Sequence, residues 1–284
     1  MSAYLLWGIS PVFWKTLGHV SPFELVLHRT FWSFFLLMII VLLQVRINEI
    51  KLIFRQKKVL LSLFFTMVIL GSNWFVFIWA VNNDQILQTS LGYYINPLFF
   101  IFLGMVVLKE KLRKLQIIAL IIAGIGVTYF AFSLRTFPWI AIILAVSFGV
   151  YGLIHKRIAV EALPGLCVET MLFSVLVFIY LVWLNINDKG AFLKINYTTD
   201  FLLIGTCIFT ALPLLFFTTG ARRTKFSTVG FMQYIAPSLS LLLSIFVYDE
   251  PFSFETFFTF LMIWIALLFY TVDLIRYHGN HKTF

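Results

Sequence analysis

Charged residues are scarce in this sequence. Asp, Glu, Lys and Arg make up 12% of its 284 residues, whereas hydrophobic residues make up 61%. A soluble globular domain carries about 25% charged residues, because its surface faces water. The mean hydropathy of +0.98 points the same way. The composition therefore excludes a soluble domain and predicts an all-α integral membrane protein.

Cysteine is also scarce, since Cys167 and Cys207 are the two in the chain and both lie within apolar runs. Two residues cannot build a disulfide framework, and neither has a metal-ligand spacing. His278 and His281 have a His-x-x-His spacing, but no further ligand accompanies them, so we interpret them as part of the chain end. We expect neither a metal nor a cofactor.

Acidic residues are fewer than basic ones, which gives a formal net charge of +9. Such an excess can indicate nucleic-acid binding. In a membrane protein it is typical of Lys and Arg retained on cytoplasmic loops. We therefore expect membrane lipid, and no nucleic acid, around this chain.

Long apolar runs dominate what remains. A bilayer core about 30 Å thick requires roughly 20 apolar residues per helix. Ten segments, bounded by charge or by Pro and Gly, fit this requirement approximately: 3–18, 24–44, 59–81, 85–108, 115–133, 138–154, 164–184, 200–220, 227–248 and 254–275. The sequence therefore predicts ten transmembrane helices, with the longest loops at 45–58 and 185–199.

Lys and Arg residues between these segments are distributed unequally over the two sides. Sixteen fall on the side of the chain termini and four on the other side, at Lys15, Arg135, Lys189 and Lys194. Positively charged loops stay in the cytoplasm. We therefore expect both termini to be cytoplasmic.

The sequence repeats itself at an offset of about 140 residues. Residues 97–110 resemble residues 237–250, and both stretches begin with proline and end with glutamate. Residues 7–15 (WGISPVFWK) resemble residues 148–156 (FGVYGLIHK) at an offset of 141. Because the echoes occur in the same order, we interpret them as a duplication, with a first repeat at 3–132 and a second at 138–275.

Each repeat contains five predicted spans, an odd number, so the second repeat must begin on the opposite side of the membrane. The loop charges agree, because the basic loop 109–114 corresponds to DEPFSFE at 249–255, which has no basic residue. Two inverted five-helix repeats are typical of secondary transporters that work by alternating access, with a substrate site near the midplane.

Several stretches resemble the EamA family of the drug/metabolite transporter superfamily, within its RarD-like branch. They are LLWGISPVFWK, SPFELVLHRTFWS, GSNWFVFIWAVNNDQILQTSLGYYINPL and VLKEKLRKLQ in the first half. LPGLCVET, FTALPLLFF and GFMQYIAPSLSLLL follow in order but match more loosely. The resemblance implies a carrier of small organic molecules in the bacterial inner membrane, with the fifth helix of each repeat peripheral to the cargo path.

Charged side chains within spans are candidates for function, because inserting one costs at least about 2.5–3.5 kcal/mol. Glu24, His28 and Arg29 lie in the second span and Glu169 in the seventh. Arg29 could instead anchor its helix by reaching the interface or by pairing with Glu24. His28 is a candidate for coupling to protons, since histidine titrates near neutral pH.

Polar side chains concentrate in the third, fourth and ninth spans. Pro97 and Pro237 are expected to kink their helices, because proline removes a backbone hydrogen bond. We expect the neighbouring side chains to line an aromatic, weakly polar cargo pocket halfway through the bilayer: Asn73, Gln88, Tyr93, Tyr94, Asn96, Gln233 and Tyr234. The alternative is that these groups only hold helices together.

Small residues form a stripe in the fifth span, at Ala119, Ala123 and Gly126. Such a stripe is typical of close helix packing, either within the fold or with a second copy in a homodimer. No GxxxxGK[ST] nucleotide-binding loop occurs. Energy would therefore come from a gradient, for example of a proton or counter-substrate, or from a partner chain, and facilitated exchange is a further alternative. A membrane-embedded enzyme or non-transporting protein acting on a lipid-like substrate is the alternative, but the five histidines are scattered.

Overall fold

A computed structural model describes residues 1–249 and 253–280, with side chains as far as Tyr277. Glu250 and His281, two residues singled out above, lie outside the described residues. Every regular element in the described ranges is a helix, so the protein belongs to the all-α class.

Thirteen helices are described in these ranges. They are α1 Ser2–Thr16, α2 Pro22–Leu43, α3 Ile47–Arg55, α4 Lys57–Asn82, α5 Ile86–Val106, α6 Lys114–Ser133, α7 Trp139–Arg157, α8 Ala162–Ile186, α9 Tyr197–Gly205, α10 Ile208–Arg223, α11 Phe226–Gln233, α12 Ile235–Tyr248 and α13 Phe254–Asn280.

Within the described part of the chain, nine helical segments are long and apolar enough to cross a membrane, if α9–α10 and α11–α12 each count as one. Each agrees within a few residues with a predicted span. The remaining predicted span, 3–18, corresponds to α1, which at 15 residues is shorter than the others. The protein is thus a multi-span membrane protein, and the count of ten spans stays a prediction.

Helix α3 lies in the segment that the sequence analysis treated as a basic loop. Its Ile50 and Ile53 are buried while its charged positions face outward, so the helix is amphipathic. Arg46 binds Glu49 through two hydrogen bonds of 2.6 and 2.8 Å. The Arg46 guanidinium lowers the pKa of the Glu49 carboxyl. The charges that suggested a loop are one face of a short helix.

The chain divides into two compact units. Unit 1 comprises residues 1–78 and 150–223. Here α2 packs against α8, α9 and α10, while α1 packs against α10 and α3 against α8. Leu37, Val41 and Val168 are almost completely buried among these helices.

Unit 2 comprises residues 79–149 and the chain from Thr224 onward. Here α6 packs against α13, and α5 packs against α6 and α11. A cluster of buried apolar and aromatic side chains forms its core and includes Leu91, Ile101, Phe231, Phe260 and Ile263. Each unit thus takes helices from both halves of the sequence, so the compact units are not the sequence repeats.

The small-residue stripe of α6 is covered by α13 of the same chain. Ala119 and Ala123 are fully buried. A Cβ atom at Gly126 would lie 2.8 Å from Cβ of Met262, and the Thr259 hydroxyl donates to the Gly126 carbonyl over 3.2 Å. The stripe therefore serves packing within the fold.

Candidate functional site

Arg29 lies inside unit 1, on α2. Its Nε donates a hydrogen bond of 2.9 Å to the Thr210 hydroxyl of α10. The guanidinium carbon lies 5.1 Å from the ring centroid of Trp14 and 4.7 Å from that of Trp74. Contacts of this kind with aromatic rings stabilise a cation that has lost water. The sequence placed Arg29 within a span, and the structure supplies its aromatic surroundings.

A cavity of about 20 Å³ lies in unit 1 beside these residues. This volume has room for one water molecule. Trp74, Met67 and Phe173 form apolar parts of its wall. Glu169, Thr30, Ser33, Thr170 and Thr210 also line it, but the surface that the cavity exposes is almost entirely apolar. Two of the three side chains that contact Arg29, Trp74 and Thr210, are therefore also walls of the cavity.

Glu169 reaches this cavity from α8. Its Oε2 accepts a hydrogen bond of 2.8 Å from the Thr66 hydroxyl of α4 and lies 2.8 Å from Nε2 of His155 of α7. The Glu169 and His155 side chains are both nearly inaccessible. The sequence pattern indicates Glu169 but not His155, because the HKR run at 155–157 resembles a basic loop. The turn at 158–161 is short, and this brings the end of α7 beside α8.

Glu24 and His28 form a second carboxylate–imidazole pair in unit 1. They are 3.6 Å apart and one turn apart on α2. Glu24 accepts a hydrogen bond of 2.7 Å from the backbone N–H of Ala191, and Trp32 donates to Nδ1 of His28 over 3.2 Å. This pair therefore fastens α2 to the loop between α8 and α9.

The tyrosine and amide candidates of α5 and α11 meet in unit 2. Asn96 donates to Gln233 over 2.7 Å, and the Tyr234 hydroxyl donates to the Tyr94 carbonyl over 3.2 Å. Tyr94 and Tyr234, which the 140-residue offset predicts to be equivalent, are thus in direct contact. Tyr234 is fully buried and Tyr94 is 7% exposed. We call Tyr94, Asn96, Gln233 and Tyr234 the tyrosine–amide cluster.

Backbone geometry brings α5 and α11 this close. A Cβ atom at Gly230 would lie 2.7 Å from the Pro97 carbonyl oxygen, so only glycine fits there. Helix α5 runs without interruption through Pro97. In contrast, α11 and α12 separate at Tyr234, three residues before Pro237. Proline offers no N–H to the Gln233 carbonyl, which favours an interruption at this point, although the same loss at Pro97 leaves α5 continuous.

The other polar candidates lie apart from this cluster. Gln88 accepts a hydrogen bond of 3.3 Å from the backbone N–H of Ile140, near the first turn of α7. Tyr93 is 54% exposed. Asn73 is half-buried in unit 1, directly before the cavity residue Trp74. The predicted set therefore divides between a site in unit 1 and a cluster in unit 2.

Long apolar helices that enclose charged and polar side chains define a multi-span membrane protein. A family model described as "EamA-like transporter family" matches the chain twice, over residues 1–132 and 137–272. The chain therefore belongs to the EamA family, and it is a membrane transporter.

Relatives with high coverage are bacterial. The chain is 42% identical to an "Uncharacterized transporter" of Vibrio cholerae, over 96% of this chain and 90% of that protein. It is 41% identical to the "Uncharacterized transporter YojE" of Bacillus subtilis, over 99% and 95%. It is 38% identical to "Protein RarD" of Escherichia coli, over 97% and 93%.

A solved structure supports the fold. This crystal structure superposes with a TM-score of 0.73, at 19% sequence identity, and the match covers 95% of each chain. At that level of identity the likeness concerns the fold alone.

Proposed function

We propose that this protein is a secondary carrier that moves small organic molecules across the inner membrane of a bacterium. Its energy comes from a gradient, since the sequence has no nucleotide-binding loop. Alternating access between two inverted repeats moves the cargo, and both termini lie in the cytoplasm. The bacterial relatives named as transporters and the charge distribution of the loops support this proposal.

The observation that carries the proposal is Arg29 held between Trp14 and Trp74 at the edge of an enclosed cavity. Burying a guanidinium within a span costs free energy, so such a group is a candidate for function. Together with indole rings and hydroxyls, it favours a cargo with one acceptor group and one apolar face. Such a site has mostly apolar walls and a few polar groups that fix orientation.

The cavity in this structure is too small for such a cargo, because pockets for small molecules measure roughly 300–1,000 Å³. Its walls must therefore separate before cargo enters. Helices α2, α4, α8 and α10 contribute the lining residues, so movement of these helices would open the site. A carrier that alternates between states is expected to pass through a form with a closed site.

The tyrosine–amide cluster of unit 2 is a second candidate for the cargo site. Oδ1 of Asn96 and Nε2 of Gln233 are buried and have no hydrogen-bond partner. Unsatisfied polar atoms of this kind cost about 1–3 kcal/mol, so a ligand that bonded to them would be stabilised. The cluster residues Tyr94, Asn96, Gln233 and Tyr234 are therefore candidate cargo contacts.

A thermal-shift screen of the purified protein against a metabolite library, followed by counterflow in proteoliposomes, tests the proposal. A compound that stabilises the protein should also exchange across the bilayer. Trp74→Ala should weaken its apparent affinity, whereas Trp183→Ala, at an exposed tryptophan of α8, should not. If Gln233→Ala alone weakens affinity, the cargo binds in unit 2. Stabilising compounds without any flux would refute the carrier function.

A membrane-embedded enzyme is the competing function. Within the described ranges, no group of three or more His, Cys, Asp and Glu side chains is arranged to hold a metal ion. The relatives are named as transporters. We therefore propose transport without chemical change of the cargo, and recovery of unmodified compound from the counterflow assay tests this point.

A further inference from the structure

Glu169 and His155 form a buried acid–base pair at the wall of the unit 1 cavity. Glu169 is 3% exposed and His155 2% exposed. The Thr66 hydroxyl donates to Glu169, and the Tyr151 ring lies 4.5 Å, centroid to centroid, from the His155 ring. Two titratable groups 2.8 Å apart and this deep inside a protein share their protons as one unit.

The pair has two charge states that differ by one proton. With one shared proton it is neutral overall, either as imidazolium and carboxylate or as imidazole and carboxylic acid. Without that proton it carries one negative charge. A buried charge without a counter-charge is costly, so loss of the proton requires water or a cation at the cavity. The charge of the site therefore depends on what the cavity contains.

Opening of the cavity gives this proton access to the pair, since the cavity walls must separate for cargo to enter. Glu169 lines the cavity, which has room for one water molecule. Once water enters the opened cavity, a hydronium ion there can transfer a proton to Glu169, and the proton can pass along the 2.8 Å contact to Nε2 of His155. Release reverses these two transfers. No other reactant is required, and the transfer between Glu169 and His155 joins atoms within hydrogen-bond distance.

The charged side chains near the Glu169–His155 pair have other hydrogen-bond or ion-pair partners. Tyr151 of α7 is the titratable neighbour that also interacts with Glu169. On the elements packed around the pair, each ionisable group for which a contact is given has its own partner: Glu24 with His28 and Ala191, Arg29 with Thr210, Glu49 with Arg46, Lys156 with the Ala221 carbonyl, and Arg222 with the Ile158 and Val160 carbonyls.

We propose that His155 and Glu169 together form a proton-binding site that loads and releases one proton through the unit 1 cavity. In a carrier, such a site lets a proton gradient drive cargo movement; this consequence rests on the proposed function, whereas proton binding does not. Glu24 and His28, a pair of the same chemistry fastened to the loop by Ala191, provide a matched control.

Infrared difference spectroscopy of the purified protein between about pH 5 and pH 8, the range in which histidine titrates, tests the site without any cargo. Isotope labelling of glutamate carboxyls and histidine rings assigns the bands. The wild-type protein should show a pH-dependent carboxyl or imidazolium band that is lost in Glu169→Gln and in His155→Gln. The band should persist in Glu24→Gln. A spectrum that Glu169→Gln leaves unchanged would overturn the proposal.

A milder variant covers the case in which Glu169→Gln does not fold. Thr66→Val is close to isosteric and removes one hydrogen-bond donor from Glu169. If the pair binds the proton, the midpoint of the assigned band should move by about half a pH unit or more, the equivalent of one hydrogen bond. An unchanged midpoint would contradict the proposal. Failure to find any cargo would bear on the carrier function alone.

Discussion

Glu110 caps helix α11 in unit 2, and its removal is the sharpest test of how that unit is held together. Its carboxylate accepts hydrogen bonds from the backbone N–H groups of Phe226, over 2.6 Å, and Ser227, over 2.9 Å. The Ser227 hydroxyl adds a third bond of 2.7 Å. Gly104 makes room for the carboxylate, since a Cβ atom there would lie 2.9 Å from Oε2.

The cost of Glu110→Ala follows from these contacts. Hydrogen bonds to a charged group contribute about 1.5–3 kcal/mol each, but Glu110 is only half-buried, which lowers that figure. Phe226 and Ser227 are 0% and 3% exposed, so their N–H groups would not readily find water. We expect a loss of about 2–4 kcal/mol. Glu110→Gln keeps one acceptor and should cost about 1 kcal/mol, because it loses the favourable charge at a helix N-terminus.

SDS titration of the protein in mixed detergent micelles measures this free energy of unfolding. Glu49→Ala is the control, because Glu49 forms an ion pair with Arg46 and its side chain is 41% exposed. Exposed pairs contribute about 0–1 kcal/mol. The expected order of stability is wild type, Glu49→Ala, Glu110→Gln and then Glu110→Ala. If Glu110→Ala costs no more than Glu49→Ala, the capping argument is wrong.

Three further outcomes are expected. Ala119→Leu should destabilise unit 2 by about 1–3 kcal/mol through overpacking against α13, whereas Ile121→Ala, at an exposed position of α6, should change little in the same SDS titration. Gly230→Ala should cost a similar amount, because its Cβ would clash with the Pro97 carbonyl; a wild-type thermal melting curve would contradict this. A C-terminal reporter that is active only outside the cytoplasm should be silent, and a strong signal would reverse the predicted orientation.

The sequence was most informative where a residue type was rare. Arg29 and Glu169 stand out from apolar surroundings, because a charge in a span is expensive wherever it lies. Their partners could not be identified in the same way. Thr210 is neutral and common in spans, and His155 lies in a basic run that marks a helix end. Which helices pack together decides these pairs, and a single sequence does not carry that information.

In the tyrosine–amide cluster, the sequence identifies the residues but not their use. The 140-residue offset relates Tyr94 to Tyr234, and they are in contact through the Tyr234 hydroxyl. The sequence could not decide whether such residues line a cavity or join two helices. Both uses require aromatic rings and amides at the same depth of a span. The close packing of α5 on α11 depends on the absence of a side chain at Gly230, and both uses of the cluster are compatible with it.

Many of the rare polar groups join the two halves of the sequence within one unit. Thr66 binds Glu169 and Arg29 binds Thr210 in unit 1; in unit 2, Arg113 binds Asp273, Glu110 binds Ser227 and Asn96 binds Gln233. Apolar contacts discriminate poorly among helices in lipid, because lipid tails are equally apolar. Hydrogen bonds and small residues must therefore select the partner helix. Five charged residues take part in these pairs: Arg29, Glu110, Arg113, Glu169 and Asp273. Of these, Glu169 also borders the cavity, so the same carboxylate joins helices and forms part of the candidate site.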